Sequence, residues 1–346
     1  MKIDFYLLFL LAAVGLATIL PCHGYSAVIL AFITKAAIFL LFFLHGAKLS
    51  RQAVFSGAGH WRLHLLVLTS TFFLFPLLGL ALSALSGEWI EPTIQQGLLF
   101  LCLLPSTVQS SIAFTSIARG NVPAAVCSAT LSNIVGIFVT PLFVGLTIGV
   151  RNAGPGVDLN AFTSIAVQLL LPFVLGHLSR PLTAALIHRQ KAVVNLVDRG
   201  SILLVVYTAF SGAVVGGIWS RLAPSDIALI LVLDALLLTV VLVATTVSAR
   251  VLRFSKEDEI AIVFCGSKKS LASGVPMAGV LLSPATFGAL IVPLMLFHQM
   301  QLMICAVLAR RYAARETDVS SVQTPDTATA YGASWCELLD VILAQD

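Results

Sequence analysis

Residues 260–282 read IAIVFCGSKKSLASGVPMAGVLL, an apolar run that contains two adjacent lysines. The run is about as long as a helix that crosses a membrane. A lysine at mid-bilayer costs roughly 2.5–3.5 kcal/mol on insertion scales, so Lys268 and Lys269 need a polar setting inside the protein. Gly266 and Gly274 tolerate unusual backbone dihedrals, which favours a helix that is interrupted at the lysines.

The composition of the chain indicates an integral membrane protein. Of its 346 residues 58% are hydrophobic and 10% charged, with a mean hydropathy of +0.99, whereas soluble domains are about 25% charged. A water-soluble globule of this size cannot bury so much apolar surface. Disordered and nucleic-acid-binding proteins need many more charges. We therefore expect the lipid bilayer as a partner and no nucleic acid.

Ten apolar stretches without period-2 alternation predict an all-α membrane protein with ten transmembrane helices. The stretches are 3–21, 26–45, 63–85, 95–117, 122–149, 161–180, 200–219, 225–249, 259–282 and 285–308. They form a transporter domain of residues 1–315. Residues 316–346 are polar and rich in Ser, Thr and Asp, which predicts a mostly disordered cytoplasmic tail.

The basic residues are distributed unevenly between the joining segments. Alternate segments, together with the termini, hold 15 of the 20 lysines and arginines, and the opposite set holds only Arg151 and Arg221. The remaining three, Lys35, Lys268 and Lys269, fall within spans. Positive charge accumulates on the cytoplasmic side. Both termini are therefore expected in the cytoplasm, as an even number of spans requires.

Matching features of the two halves predict inverted five-helix repeats at about 3–149 and 161–308. Gly136 and Pro141 of the fifth span share a spacing with Gly288 and Pro293 of the tenth. The fourth and ninth spans are also the two most polar, and the fourth contains PSTVQSS at 105–111. Many transporters consist of inverted repeats that bind solutes at broken helices near the midplane.

A helix broken inside the membrane leaves carbonyls at one end and N–H groups at the other. Protein groups, water or a bound ion must satisfy them; the alternative is a plain kink without a site. We expect solute or ion binding by residues at or beside the two interruptions. They are Ser106, Thr107, Gln109, Ser110, Ser111, Ser128, Ser132, Asn133, Asp234, Ser267, Lys268, Lys269, Ser270 and His298.

Asp234 is the only carboxylate deep inside a span, so it needs a partner. A lysine of the ninth span is the obvious candidate. The pair would be either a static salt bridge or part of a site for a substrate anion or a coupling ion. For Lys35, a structural and a functional role both stay open.

The segment 104–121, LPSTVQSSIAFTSIARGN, with Thr140-Pro141 downstream and FCGSKKSLASGVP at 264–276, resembles the bile acid:sodium symporter superfamily. The similarity is to its SBF-like branch, of the solute carrier family 10 member 7 type, which includes bacterial sodium-dependent transporters. The segment 41–50, LFFLHGAKLS, also resembles that branch. The resemblance covers about residues 3–312.

The resemblance implies a panel domain of spans 1, 2, 6 and 7 and a core domain of spans 3–5 and 8–10, in which spans 4 and 9 cross. It implies a sodium ion at this crossing, at positions that match Ser110 and Ser111. Two positions of the fifth span that carry hydroxyl groups in sodium-coupled members fall near Ala125 and Ala129 in this sequence. The acidic and Gln residues of the family's ninth-span sodium motif are replaced here by residues 265–270. These departures argue against coupling to two sodium ions, and a lysine ammonium could replace one of them.

Three functions are compatible with the sequence. The first is symport, with sodium or protons, of an organic anion that resembles a bile acid, a steroid conjugate or a small carboxylate. The second is cation/proton antiport through Asp234 and a ninth-span lysine, and the third is a non-transporting membrane regulator. No catalytic constellation is visible, so we expect neither an enzyme nor a cofactor beyond a sodium ion. The expected location is a bacterial inner membrane.

Overall fold

The computed structural model describes residues 5–48, 60–86, 90–149, 159–215, 217, 224–281 and 284–315. These ranges contain helices and no strand. The helices are α1 (Phe5–Ile19), α2 (Tyr25–Lys48), α3 (Trp61–Thr69), α4 (Phe75–Ser86), α5 (Pro92–Leu103), α6 (Gln109–Ile117), α7 (Val122–Val144), α8 (Leu159–Arg189), α9 (Lys191–Val215), α10 (Pro224–Val251), α11 (Lys256–Gly266), α12 (Leu271–Leu281) and α13 (Pro284–Ala313). The predicted tail at 316–346 lies outside the described residues.

Among the described residues six helical segments are long and apolar enough to cross a membrane, which confirms a multi-pass membrane protein. They are Tyr25–Lys48, Trp61–Ala84, Val122–Ile148, Ala192–Gly212, Ser225–Val251 and Phe287–Ala313. The predicted fourth and ninth spans are each divided into two shorter helices, and α1 has 15 residues. The count of ten spans and their inverted repeat stay predictions.

Helices α3 and α4 are joined by a π-helical turn, Ser70–Leu74, into one continuous segment. Such turns are rare and often occur at functional sites. This turn places Ser70 and Thr71, both buried, beside the broken helices. The turn therefore brings two polar residues to the broken helices.

Helices α2 and α8 pack through glycines at their closest approach. A Cβ at Gly46 would collide with the Phe173 carbonyl, and a Cβ at Gly176 would collide with the Phe43 carbonyl. Only glycine lets two backbones come this close. Helix α9 packs on α1 and α2 and also contacts α12 and α13, so it joins this pair to the rest of the protein.

The broken helices lie in the interior, away from lipid. Every residue of 97–107 and of 259–271 is buried. Around them the largest apolar cluster of the described residues includes Phe100, Phe297 and Leu294. The interior position excludes lipid from the helix ends, so their backbone groups must be satisfied by the protein or a bound ligand.

Candidate functional site

Both predicted interruptions are breaks in the helices, and the alternative of plain kinks is wrong. Helix α5 ends at Leu103 and α6 begins at Gln109, while α11 ends at Gly266 and α12 begins at Leu271. The two non-helical segments, 104–108 and 267–270, touch each other, because the Ser270 N–H donates to the Pro105 carbonyl at 2.9 Å. We call these two segments and the side chains bonded to them the crossing.

The backbone at each break is held by side chains of a later helix, α7 for the first break and α13 for the second. At the first break, the Ser106 N–H donates to Ser132 Oγ at 3.0 Å, and Asn133 Nδ2 donates to the Ser106 carbonyl at 2.8 Å. At the second break, Gln301 binds both the N–H and the carbonyl of Lys269, each at 2.9 Å. Polar side chains of α7 and α13 thus satisfy backbone groups of one residue in each break.

The carbonyls at the carboxyl end of α11 accept hydrogen bonds from serine hydroxyls. Ser70, Ser106, Ser111 and Ser267 donate to the carbonyls of Gly266 (2.9 Å), Cys265 (2.5 Å), Phe264 (2.9 Å) and Val263 (2.6 Å). These serines come from three different segments of the chain. Four carbonyls that could have bound a cation are therefore satisfied by the protein itself.

The ammonium of Lys269 lies at the carboxyl end of α5. Its Nζ donates to the carbonyls of Cys102 at 2.8 Å, Leu104 at 2.6 Å and Thr71 at 2.9 Å. It also lies 4.1 Å from the centroid of the Phe75 ring. The side chain is fully buried, and these contacts use all three of its N–H donors.

The ammonium of Lys268 has a different setting. It lies 3.4 Å from the Ser110 hydroxyl and 4.0 Å and 5.5 Å from the centroids of the Phe114 and Phe264 rings. No side chain of the described residues caps the amino terminus of α6 at Val108. Lys268 is also fully buried, so positive charge and uncapped N–H groups lie in the same place.

The predicted salt bridge between Asp234 and a lysine of the ninth span is wrong. Asp234 is buried in α10, and within the described ranges neither of its carboxylate oxygens has a hydrogen-bond partner. Lys269 instead satisfies carbonyls that the break of α5 leaves without helical partners. Lys268 lies between two aromatic rings.

The remaining predicted residues divide between the crossing and its surroundings. Thr107 hydrogen-bonds Ser110 and Ser111, and Ser270 Oγ hydrogen-bonds Ser273. Outside the crossing, Ser128 pairs with His64, and His298 contacts the Gln301 amide; Gln109 and Lys35 are exposed. His298 therefore supports the residue that holds the second break.

Several residues of the crossing were not predicted from the sequence, namely Ser70, Thr71, Phe75, Thr140 and Gln301. Thr140 donates to the Leu103 carbonyl at 2.8 Å, and the contacts of the others are given above. Ser70 and Gln301 are polar residues inside apolar spans, which is the signal that could have identified them. Thr71 and Phe75 contribute a carbonyl and a ring, for which the sequence contains no signal.

Comparison with known proteins identifies the family. The model of the SBF-like CPA transporter family, a family of transporters and not enzymes, matches residues 4–314. PA2026 of Pseudomonas aeruginosa is 56% identical over 318 residues, covering 92% of this chain and 95% of the relative, and YfeH of Escherichia coli is 51% identical over 326 residues, covering 94% and 97%. Sodium/bile acid cotransporter 7 of Mus musculus is 26% identical over 311 residues, covering 88% and 91%. The chain belongs to the SBF-like CPA transporter family.

Proposed function

We propose that the protein is a secondary active transporter that moves an organic anion across the membrane by alternating access, in symport with sodium ions or protons. Membership of a transporter family supports transport. The name of the mouse relative refers to sodium and bile acid. The expected solute resembles a bile acid, a steroid conjugate or a small carboxylate.

The observation that most strongly supports an anionic solute is the environment of Lys268. Its buried ammonium lies beside the first turn of α6, where a helix exposes N–H groups and the positive end of its dipole. The ion pairs of the described residues all involve other basic side chains. A carboxylate or sulfate group of a solute would supply the negative charge that this place lacks.

The packing of the helices is compatible with ten spans in two inverted repeats. In the proposed arrangement α1, α2, α8 and α9 form the panel, and the helices of the crossing belong to the core. Ser132 and Asn133 of the fifth span bind Ser106, and Gln301 of the tenth span binds Lys269, so each of these two spans, which correspond in the proposed repeats, holds one break. Movement of one group against the other would expose the crossing alternately to the two sides.

The coupling ion is expected to be one sodium ion at most, at Ser110 and Ser111. Lys268 lies 3.4 Å from the Ser110 hydroxyl, and two unit charges 4 Å apart repel by about 4 kcal/mol at an effective dielectric of 20. Full occupancy by sodium beside a charged Lys268 is therefore unfavourable. Proton binding by a lysine or by Asp234 is the other means of coupling.

The test is solute uptake into proteoliposomes, with radiolabelled taurocholate, estrone sulfate and succinate as probes. A sodium gradient at constant pH and a pH gradient without sodium are imposed separately. We expect uptake of one probe class, driven by at most one sodium ion or by protons. Lys268→Gln should lower the uptake at least tenfold, whereas Lys35→Gln, which removes the same charge from the exposed face of α2, should not.

Two outcomes would contradict parts of the proposal. A steep dependence that requires two sodium ions per solute would show that Lys268 does not replace an ion. The absence of any flux by correctly folded protein would favour a non-transporting regulator.

Cation/proton antiport is the second candidate function, and the buried carboxylate of Asp234, which has no hydrogen-bond partner among the described residues, favours it. An intramembrane carboxylate can bind a proton or a cation in turn. In the same proteoliposomes, a trapped pH indicator would report proton release on addition of sodium or potassium chloride without organic solute. Antiport predicts a signal that Asp234→Asn abolishes; symport predicts none.

We also propose that the protein lies in a bacterial inner membrane with both termini in the cytoplasm. The excess of basic residues in alternate joining segments supports this orientation. Two of the relatives named above are bacterial proteins.

A further inference from the structure

The Lys269 ammonium fills a pocket whose walls are backbone carbonyls. Three carbonyl oxygens, of Thr71, Cys102 and Leu104, lie 2.6–2.9 Å from Nζ. The face of the Phe75 ring closes a further side at 4.1 Å. Within the described residues no ion pair involves Lys269, so the charge is balanced by dipoles and a ring alone.

The components of this pocket are those that proteins use for bare monovalent cations. Potassium filters replace the hydration shell of the ion with backbone carbonyls, and aromatic faces attract cations. Cys102 and Leu104 stand at the carboxyl end of α5, the negative end of the helix dipole. The pocket is thus negative in potential and dry, because all its residues are buried.

We propose that this pocket is a binding site for a monovalent cation of the size of ammonium or potassium, which Lys269 occupies permanently with its own ammonium group. Ammonium and potassium ions have nearly the same size, and the observed distances suit both. The smaller sodium ion would require the carbonyls to move inward. In the native protein no mobile ion can enter, so Lys269 acts as a tethered cation.

Shortening the side chain should convert the tethered site into an open one. In Lys269→Ala the carbonyls lose their donor, which lowers stability, and a free cation can take its place. Any ligand that binds only the folded state raises the melting temperature with concentration. The pocket should therefore discriminate between cations by size in a measurement that requires no transport.

The experiment measures the melting temperature (Tm) of purified, detergent-solubilised protein in chloride salts of potassium, ammonium, sodium and N-methylglucamine at constant ionic strength. For Lys269→Ala we expect a Tm several degrees below that of the wild type in N-methylglucamine. Potassium or ammonium should raise it by at least about 4 °C, and sodium by less. The wild-type Tm should change by less than about 1 °C.

Two controls separate the pocket from its surroundings. Lys269→Met fills the space without charge, so its Tm should fall without recovery in potassium. Lys268→Ala removes the neighbouring ammonium, which has a hydroxyl and two rings around it but no carbonyl contact. It should show no preference between potassium and N-methylglucamine. An equal response of Lys268→Ala and Lys269→Ala to potassium would contradict the proposal.

A neutral variant tests the same idea if Lys269→Ala does not fold. Lys269→Gln removes the charge and keeps two N–H donors, on a side chain that is one bond shorter and carries a carbonyl oxygen, so we expect a Tm clearly below that of the wild type. A wild-type Tm in Lys269→Gln, or no cation preference in folded Lys269→Ala, would overturn the proposal. Both readouts are independent of the transported solute, so their failure is distinct from a failure of the symport proposal.

Discussion

At the scale of single residues, two adjacent lysines have opposite roles. Lys269 uses all its donors on backbone carbonyls, whereas Lys268 has one long hydrogen bond and two aromatic neighbours. Both lysines lie in the non-helical segment between α11 and α12, and their side chains enter different surroundings. Lys269 is accordingly part of the framework, and Lys268 is the lysine that we propose binds the solute.

Gln301 provides a prediction about the framework. Gln301→Met keeps the size of the side chain but leaves the N–H and the carbonyl of Lys269 without their partners. Each buried, unsatisfied backbone group costs about 1–3 kcal/mol. We expect a Tm lower by at least about 4 °C, measured in detergent. Gln299→Met is the matched control on the same helix and should change the Tm little; equal losses in both variants would contradict this role of Gln301.

Asp234 provides a second prediction, of the opposite sign. Its buried carboxylate has no hydrogen-bond partner in the described part of the chain, and an uncompensated polar group lowers stability. Asp234→Leu should therefore raise the Tm, by roughly 2–4 °C for each kcal/mol gained. Asp198→Leu, which removes the partner of Lys48, should not. If Asp234→Leu is destabilised and a second substitution at Lys268 or Lys269 restores it, the two charges interact after all.

At the scale of helices, the backbone groups at each break are satisfied by polar groups of other segments. The last carbonyls of α11 accept hydrogen bonds from hydroxyls of α6, the first break and the π turn. A carbonyl at the end of α5 accepts a hydrogen bond from the Lys269 ammonium of the second break. Because each end depends on a different segment, the crossing forms only when several spans are in register. A local change at one helix end is therefore expected to affect the whole site.

The contact between α2 and α8 provides a prediction at this scale. Gly46→Ala or Gly176→Ala places a methyl group against a backbone carbonyl of the facing helix, and backbone cannot yield as a flexible side chain can. We expect strongly reduced accumulation in membranes or a Tm lower by several degrees. Gly200→Ala in α9 has nothing within 4 Å of the added Cβ and should be neutral or slightly stabilising. A harmless Gly46→Ala would show that α2 and α8 are farther apart.

At the scale of the whole molecule, the protein is a bundle of apolar helices whose interior contains the polar crossing. In the part of the chain that the structure describes, six helices are long and apolar enough to span the membrane. The broken segments, which are too short to be recognised by length, lie between them and are shielded from lipid. This arrangement places the only buried lysines of the described residues at the centre of the protein.

The orientation of the bundle is the fourth prediction. In a variant without native cysteines, single cysteines replace Gly87, Arg151, Gln190 or Ser255. A membrane-impermeant maleimide should label positions 87 and 151 on intact spheroplasts, and positions 190 and 255 only after permeabilisation, because the basic segments face the cytoplasm. Labelling of position 190 on intact spheroplasts would contradict the predicted orientation.

The sequence by itself determined that the chain is a helical membrane protein with two interrupted spans. Length and hydropathy identify spans because the bilayer has a fixed thickness. Pro105, Gly266 and the lysines mark the interruptions because their backbone or charge cannot be accommodated in a continuous helix in lipid. The family resemblance rested on the same two segments, and the family match over residues 4–314 confirms it.

Only the tertiary structure decided which partner each polar group has. The sequence suggested that Asp234 would pair with a lysine because opposite charges attract, yet Lys269 binds carbonyls and Asp234 has no hydrogen-bond partner among the described residues. Those carbonyls belong to every residue type, so no sequence pattern reveals them. They become strong acceptors where a helix ends inside the protein, and the folded arrangement of α5, the π turn and the second break determines which cation they bind.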